Sequence, residues 1–230
     1  MRLCERLRRD CTRVWAGLHA HPFIRELAAG TLPPEKFRFY VEQNLQYLTE
    51  YARTIAIGAT KAGDLETMRL FAADLANILD SEIPENRELL RRVVELGAED
   101  RGGSAGMAPA TVAYTGFLVS TATEGGPLEI MAAIVPCTWS YGDIAAALIA
   151  EGLVHDHPVY AEWIRFFGQP AYGAVVATMH ADFEAAAGGA SEADLRRLSE
   201  LFTASTRLEL GFWDMAYDLA HWPDVRARYS

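Results

Sequence analysis

The chain has 230 residues, 50% of them hydrophobic and 23% charged, so it can bury one sizeable core and is short for two ordinary domains. We therefore predict a single domain over residues 1–230. Its formal net charge of -10 argues against a nucleic-acid-binding protein, because binding to phosphates needs concentrated Lys and Arg side chains.

Apolar residues recur at helical spacing along the whole chain, and alternation typical of strands is missing, so we predict an all-α fold. Glycine and proline punctuate the helices: Gly30 ends one and Pro34 begins the next, and Gly126 before Pro127 repeats the pattern. The predicted helices cover residues 3–18, 22–29, 34–61, 65–80, 83–97, 109–123, 127–151, 158–167, 171–187 and 191–219.

The spacing of the cysteines and the hydropathy of the chain indicate where in the cell the protein is located. The three cysteines form no Cys-x-x-Cys pair, which favours a reducing compartment. No signal-peptide pattern is recognisable, and no uninterrupted apolar run reaches the roughly 18 residues of a membrane span. We expect a cytoplasmic protein that binds neither nucleic acid nor a membrane.

Two predicted helices start with the same His-x-His-Pro pattern, at residues 19–22 and 155–158. One interpretation is a four-histidine metal site. The other is ordinary helix N-terminal chemistry, in which proline takes the first helical position after a polar residue. We favour the second, because His180 and His221 add no spacing that would place two ligands on one helical face, and we predict no metal.

In the long helix predicted over residues 34–61, the side chains of Tyr40, Asn44, Tyr47 and Tyr51 share one face. A buried amide beside phenols can hold a flat heterocycle, through hydrogen bonds at its edge and ring contacts at its face. The alternative is a packed core in which the hydroxyl groups reach backbone carbonyls.

The predicted helix over residues 127–151 contains Pro136 directly before Cys137. Proline inside a helix costs roughly 3 kcal/mol and should kink it, leaving the carbonyl of Ala132 without its usual partner. Tyr141 lies one turn after Cys137 on the same face, so the thiol and the phenol can line a cavity. Cys137 is thus a candidate nucleophile, and the alternative is an inert buried thiol.

In the last predicted helix, Glu209 shares a face with Trp213 and Tyr217. A carboxylate on an aromatic face must find a donor or stay protonated, and either state suits acid and base catalysis. The alternative is an ion pair near the surface with Arg53 or Arg207.

Together these segments resemble the TenA family, the thiaminase II and aminopyrimidine aminohydrolase proteins, over nearly the whole chain. The matching stretches are Trp15, residues 21–24 (His-Pro-Phe-Ile), 30–32 (Gly-Thr-Leu), 37–47, 136–139 (Pro-Cys-Thr-Trp), and Glu209 with 212–217 (Phe-Trp-Asp-Met-Ala-Tyr).

The resemblance implies a haem-oxygenase-like helical bundle without haem or other cofactor, commonly a homotetramer. It implies that Cys137 is the nucleophile and Glu209 the acid and base, and that Tyr47, Tyr114 and Tyr141 line a pyrimidine pocket. In the reaction that it implies, the thiolate adds to an electron-poor pyrimidine carbon, an amine or the thiazolium of thiamin leaves, and water releases the hydroxymethyl pyrimidine.

Two positions depart from the family pattern, which usually has Asp at position 44 and Tyr at position 167. Asn44 can accept or donate a hydrogen bond, so it can face an amine, a carbonyl or a ring nitrogen. Phe167 keeps a stacking surface and loses a hydroxyl. Both are predicted substrate-binding residues, with a shifted substrate preference.

Two other functions are alternatives. A metal-dependent oxidase on the same bundle would need converging acidic and histidine ligands; Glu82 and Asn86 stand one turn apart, but an amide is a poor iron ligand. A regulatory ligand-binding protein is the third hypothesis, and the acidic charge argues against direct DNA binding.

Overall fold

The structure, a computed structural model, describes residues 2–223, which form eleven α-helices and one π-helical turn without any β-strand. The all-α prediction is confirmed. The helices are α1 (Leu3–Asp10), α2 (Thr12–Ala20), α3 (Pro22–Ala29), α4 (Pro34–Lys61), α5 (Leu65–Asn77), α6 (Ile83–Glu95), α7 (Pro109–Glu124), α8 (Pro127–Ala150), α9 (Tyr160–Gly168), α10 (Pro170–Ala186) and α11 (Glu192–Asp218), and the π turn (Ile78–Glu82) joins α5 to α6.

The predicted first helix is wrong in one respect, because it divides at Cys11 into α1 and α2. The Thr12 hydroxyl donates to the carbonyls of Arg9, at 2.7 Å, and Arg8, at 3.2 Å. A side chain that bonds to the preceding turn competes with the helical hydrogen bonds there. Cys4, on α1, and Cys11, at the break itself, are both buried.

The helices predicted over residues 65–80 and 83–97 are in fact one continuous rod, α5–π–α6. Ile78, the first residue of the π turn, and Ile83, the residue after it, both keep helical dihedral angles. Pro84 has no N–H to donate to the carbonyl of Asp80, so one helical hydrogen bond is missing where the π turn lies. The turn contains one residue more than an α-helical turn needs, which rotates everything after it about the rod axis.

Helices α4, α7, α8 and α11 form the centre of the bundle. Helix α4 packs against α5, α6 and α7, and α8 packs against α9, α10 and α11. The core between them is aromatic, with Trp15, Trp163 and Trp213 fully buried. Fully buried indole rings remove large apolar surfaces from water, which is the dominant stabilising term in such a bundle.

Helix α8 runs from Pro127 to Ala150 with Pro136 inside it. Two carbonyls in the turn before this proline accept hydrogen bonds from other helices: Ser205 Oγ donates to Ala133 at 2.7 Å, and Tyr51 Oη donates to Ile134 at 3.1 Å. These bonds tie α4 and α11 to the proline turn of α8. Cys137 therefore lies where three helices are held together.

Within residues 2–223, α8 alone is long and apolar enough to cross a membrane by length and composition. Polar residues interrupt this helix, so it contains no uninterrupted apolar run of about 18 residues. More than half of its apolar window is buried among the other helices. The core helix of a soluble protein has the same properties, so length and composition are weak evidence for a membrane span.

Candidate active site

A small cavity of about 190 Å³ lies where α4, α7, α8 and α11 meet. It contains six of the seven residues predicted from the sequence to form the site, together with Phe212. The lining residues are Asn44, Tyr47, Tyr114, Cys137, Tyr141, Glu209 and Phe212.

Phe167, the seventh predicted residue, is not among the residues that line this cavity. It is buried in α9, and its ring packs against Tyr141 at 4.8 Å and Trp163 at 4.9 Å between centroids. Phe167 therefore packs against the ring of Tyr141 without lining the cavity itself.

Phe212 lines the cavity without having been assigned to the site. It follows Glu209 by three residues on α11, so helical spacing already placed both side chains on one face. Its ring lies 5.8 Å from Tyr47. The spacing from the predicted acid was the signal that could have found it.

The thiol of Cys137 lies half-buried in the cavity. Burial raises the pKa of this thiol well above its ordinary value, and the nearby carboxyl groups of Glu209 and Glu82 raise it further. The thiol is therefore protonated at neutral pH, and a reaction through sulfur needs a base to take its proton.

Glu209 is buried, with 2% of its surface exposed, and its Oε1 accepts a hydrogen bond from Ser140 Oγ. Burial raises the pKa of this carboxyl well above its ordinary value, and the bond from Ser140 opposes only part of the rise. The alternative of a surface ion pair is wrong: Arg53 pairs with Glu50 instead. A protonated Glu209 can act as an acid at neutral pH.

Two buried polar atoms of the site have no hydrogen-bond partner among residues 2–223. They are Tyr47 Oη and Glu209 Oε2, and both residues line the cavity. Buried polar atoms are almost always bonded in folded proteins, so a pair of orphans in one cavity indicates polar atoms of a ligand or of water.

Two tyrosines that line the cavity, Tyr141 and Tyr114, form hydrogen bonds with residues that do not line it. Trp163 Nε1 donates to Tyr40 Oη at 3.2 Å, and that hydroxyl donates to Tyr141 Oη at 3.2 Å. Tyr114 Oη and Ser205 Oγ lie 3.1 Å apart, within hydrogen-bond distance. The face of α4 thus combines both readings of its pattern, since Tyr47 faces the cavity while Tyr40 packs in the core.

Asn44 is held by a second amide. Its Nδ2 donates to Asn86 Oδ1 at 2.9 Å, and Asn86 Nδ2 donates to the backbone carbonyl of Glu82, also at 2.9 Å. Glu82, the last residue of the π turn, is buried, and burial raises the pKa of its carboxyl to about 7. Glu82 and Asn86 therefore belong to the chain of hydrogen bonds that reaches Asn44. Within residues 2–223, no group of three or more His, Cys, Asp or Glu side chains is placed to hold a metal ion.

In each His-x-His-Pro segment, the second histidine bonds to the backbone near the start of a helix. His21 Nδ1 accepts from the backbone N–H of Phe23 at 3.1 Å, and His157 Nδ1 accepts from that of Tyr160 at 3.2 Å. Helix α3 begins with Pro22 directly after its capping residue His21, whereas α9 begins at Tyr160, two residues after Pro158. The N-terminal interpretation is therefore confirmed for the first His-x-His-Pro segment, and the prediction that Pro158 begins the second helix is wrong.

We expect Glu209 to make stability depend on pH. In the unfolded chain this carboxyl ionises near its ordinary pKa of 4.5, whereas burial keeps it protonated in the folded protein to higher pH. Its contribution to the free energy of unfolding should therefore fall by up to about 1.4 kcal/mol per pH unit above that value. Glu209→Gln should gain stability relative to the wild type between pH 5 and pH 8, measured by urea unfolding; equal pH slopes would contradict this.

Comparison with known proteins agrees with the resemblance seen in the sequence. The TENA/THI-4/PQQC family model matches residues 8–219. An aminopyrimidine aminohydrolase of Halalkalibacterium halodurans is 34% identical over 209 residues, which cover 91% of this chain and 92% of that protein.

Solved structures agree as well. A TenA homologue from P. horikoshii OT3 superposes with a TM-score of 0.83 and 28% identity, covering 95% of this chain and 99% of its own. A domain of Shewanella denitrificans with a heme oxygenase-like fold is 15% identical, with a TM-score of 0.71 over 94% of this chain and 92% of its own, which shows the fold alone. By the extent of the model match and by its relatives, the chain belongs to the TENA/THI-4/PQQC family.

Proposed function

We propose that the protein is a cofactor-free hydrolase of thiamin salvage. It removes the amine of the 5-aminomethyl group from 4-amino-5-aminomethyl-2-methylpyrimidine or a related aminopyrimidine. The observation that carries the proposal is that Cys137 and Glu209 line one small cavity with tyrosine walls. The activity named for the relative from Halalkalibacterium halodurans supports it. The cytoplasmic location and the homotetramer stay predictions.

The first step is proposed to be addition of sulfur to the ring. Glu209 donates its proton to a ring nitrogen, and the carboxylate so formed takes the proton of the Cys137 thiol. The sulfur then forms a bond to an electron-poor ring carbon. Protonation at nitrogen neutralises the negative charge that addition would place on the ring, which lowers the barrier.

In the next steps the ring expels the amine and regains its aromaticity. An electron pair of the dearomatised ring breaks the bond between the exocyclic carbon and the amine, which takes the proton of Glu209 as it leaves. Water adds to that exocyclic carbon and gives its proton back to Glu209. The Cys137 thiolate then departs, which restores the aromatic hydroxymethyl pyrimidine, and it takes the proton of the ring nitrogen, so sulfur and carboxyl return to their starting states.

The raised pKa values of the two groups suit this order of events. A thiol that is neutral at rest does not carry a buried charge, and a neutral Glu209 has a proton to give. In the proposed steps, Glu209 is ionised only while the ring nitrogen or the leaving amine holds its proton. The sulfur of Cys137 is charged only while its proton is on Glu209 or on the ring. The buried cavity therefore avoids an unpaired charge before substrate binds.

A direct assay tests the proposal. We expect purified protein to release hydroxymethyl pyrimidine from the 5-aminomethyl pyrimidine, because Cys137, Glu209 and Asn44 line one cavity. Mass spectrometry measures the release. Parallel incubations contain thiamin and the 5-formylaminomethyl derivative, which identify the leaving group that the site accepts.

The same assay after exhaustive chelation separates hydrolysis from the metal-dependent alternative. Unchanged release supports a reaction carried by Cys137 and Glu209. Loss of activity on chelation with recovery on adding iron would overturn the proposal, and so would absence of release from all three compounds.

A further inference from the structure

Asn86 of α6 is a buried amide outside the cavity, with 1% of its surface exposed. It bridges the rod α5–π–α6 to α4, because it bonds to the Glu82 carbonyl on one side and to Asn44 on the other. The backbone carbonyl of Glu82 fixes the donor and acceptor directions of both bonds. A carbonyl oxygen can only accept, so Asn86 must present Nδ2 to Glu82 and Oδ1 to Asn44.

This arrangement determines the orientation of Asn44. Facing an acceptor, Asn44 must present its own Nδ2 to Asn86. Its Oδ1 then lies at the other end of the amide, and no described residue donates to that oxygen. From the sequence alone Asn44 could be a donor or an acceptor, and the amide chain removes this ambiguity.

We propose that Asn86 is a positioning residue that makes Asn44 Oδ1 the hydrogen-bond acceptor of the cavity, so that the site selects a pyrimidine with a donor at this edge. The inference rests on the proposed function and refines its substrate class. A 4-amino group is such a donor. A 4-oxo group at the same place would bring two acceptor oxygens together.

The opposite orientation of the pair is costly. If Asn44 turned its Nδ2 toward the ligand, its Oδ1 would face Asn86 Oδ1. Asn86 could turn as well, but its own oxygen would then face the Glu82 carbonyl. Either arrangement leaves buried acceptors in contact without a proton between them, which is among the less tolerated situations in a protein interior.

Binding of two product-like pyrimidines tests the inference without turnover. The probes are 4-amino-5-hydroxymethyl-2-methylpyrimidine and its 4-oxo counterpart, each titrated calorimetrically into the full chain. We expect the wild type to bind the 4-amino compound at least about tenfold more tightly, as loss of one hydrogen bond and a clash of acceptors imply. Asn86→Ala should reduce this preference to about threefold or less, because the Asn44 amide can then turn.

Two further variants keep this test independent of folding. In Asn86→Ser the hydroxyl can still donate to the Glu82 carbonyl one turn back, but it is too short to hold Asn44. It should fold like the wild type and lose the preference as Asn86→Ala does. Asn77→Ala is the matched control, since Asn77 Nδ2 bonds to Glu82 Oε1 at 3.3 Å and does not contact Asn44, so the preference should remain.

A double-mutant cycle shows whether Asn86 acts through Asn44. Asn44→Ala should abolish the preference, and adding Asn86→Ala should change it no further. A folded Asn86→Ser protein with the wild-type preference would overturn the inference while leaving the proposed function intact. Failure of both pyrimidines to bind the wild type would overturn the proposed function, and the inference with it.

Discussion

Replacing Cys137 by Ala or Ser is expected to lower turnover of the aminopyrimidine by about 1000-fold or more, because neither side chain supplies a thiolate. Both replacements are small enough for the half-buried position after Pro136. The folded structure should survive, which circular dichroism and thermal unfolding would show. Steady-state assays of both variants give the loss of kcat.

The other two cysteines provide the control for this experiment. Cys4 and Cys11 are buried in the packing of α1 and α2, away from the cavity, and burial raises the pKa of Cys4 to about 12. Cys4→Ala and Cys11→Ala should keep kcat near the wild-type value. Turnover by Cys137→Ala at the wild-type rate would exclude catalysis through a covalent sulfur intermediate.

Glu209→Gln is expected to lower kcat by about 100-fold to 10,000-fold, the usual contribution of a positioned acid or base. In the wild type, activity should fall as pH rises through the raised pKa of Glu209, because the proton for the ring nitrogen is then lost. The residual activity of the glutamine variant should lack this limb. A pH profile of kcat for both proteins measures the difference.

Ser140 offers a sharper version of the same test. Its hydroxyl bonds to Glu209 Oε1 and favours the ionised carboxylate, which lowers the pKa of Glu209. Ser140→Ala should therefore shift the alkaline limb of the profile to higher pH while keeping the acid in place. A limb that stays where it was in Ser140→Ala, or that persists in Glu209→Gln, would assign the proton to another group.

Local patterns predicted most of the fold because each helix carries its own signal. Helix α4 was predicted over residues 34–61, and the structure has Pro34–Lys61, since proline starts it and its apolar face repeats throughout. The break at Cys11 was missed, because the competing bonds of Thr12 depend on a single hydroxyl. Helical periodicity averages over several turns and cannot detect such an event.

The cavity was predictable to the extent that its members share helical faces or family motifs. Cys137 and Tyr141 lie one turn apart on α8, and Glu209 and Phe212 lie one turn apart on α11. Contacts between distant segments were not predictable. The bond from Ser140 to Glu209 joins two residues that are 69 positions apart in the chain, and nothing in either sequence segment indicates the other.

The π turn before Asn86 makes the selectivity of the cavity depend on the winding of the backbone as well as on residue type. Each residue advances an α-helix by about 100°, so the same residues wound throughout as a regular α-helix would present Asn86 on a different face of the rod, turned away from α4. Every side chain would remain, yet the amide pair would be gone. The edge preference therefore depends on a local backbone geometry, which comparison of aligned residue identities alone would overlook.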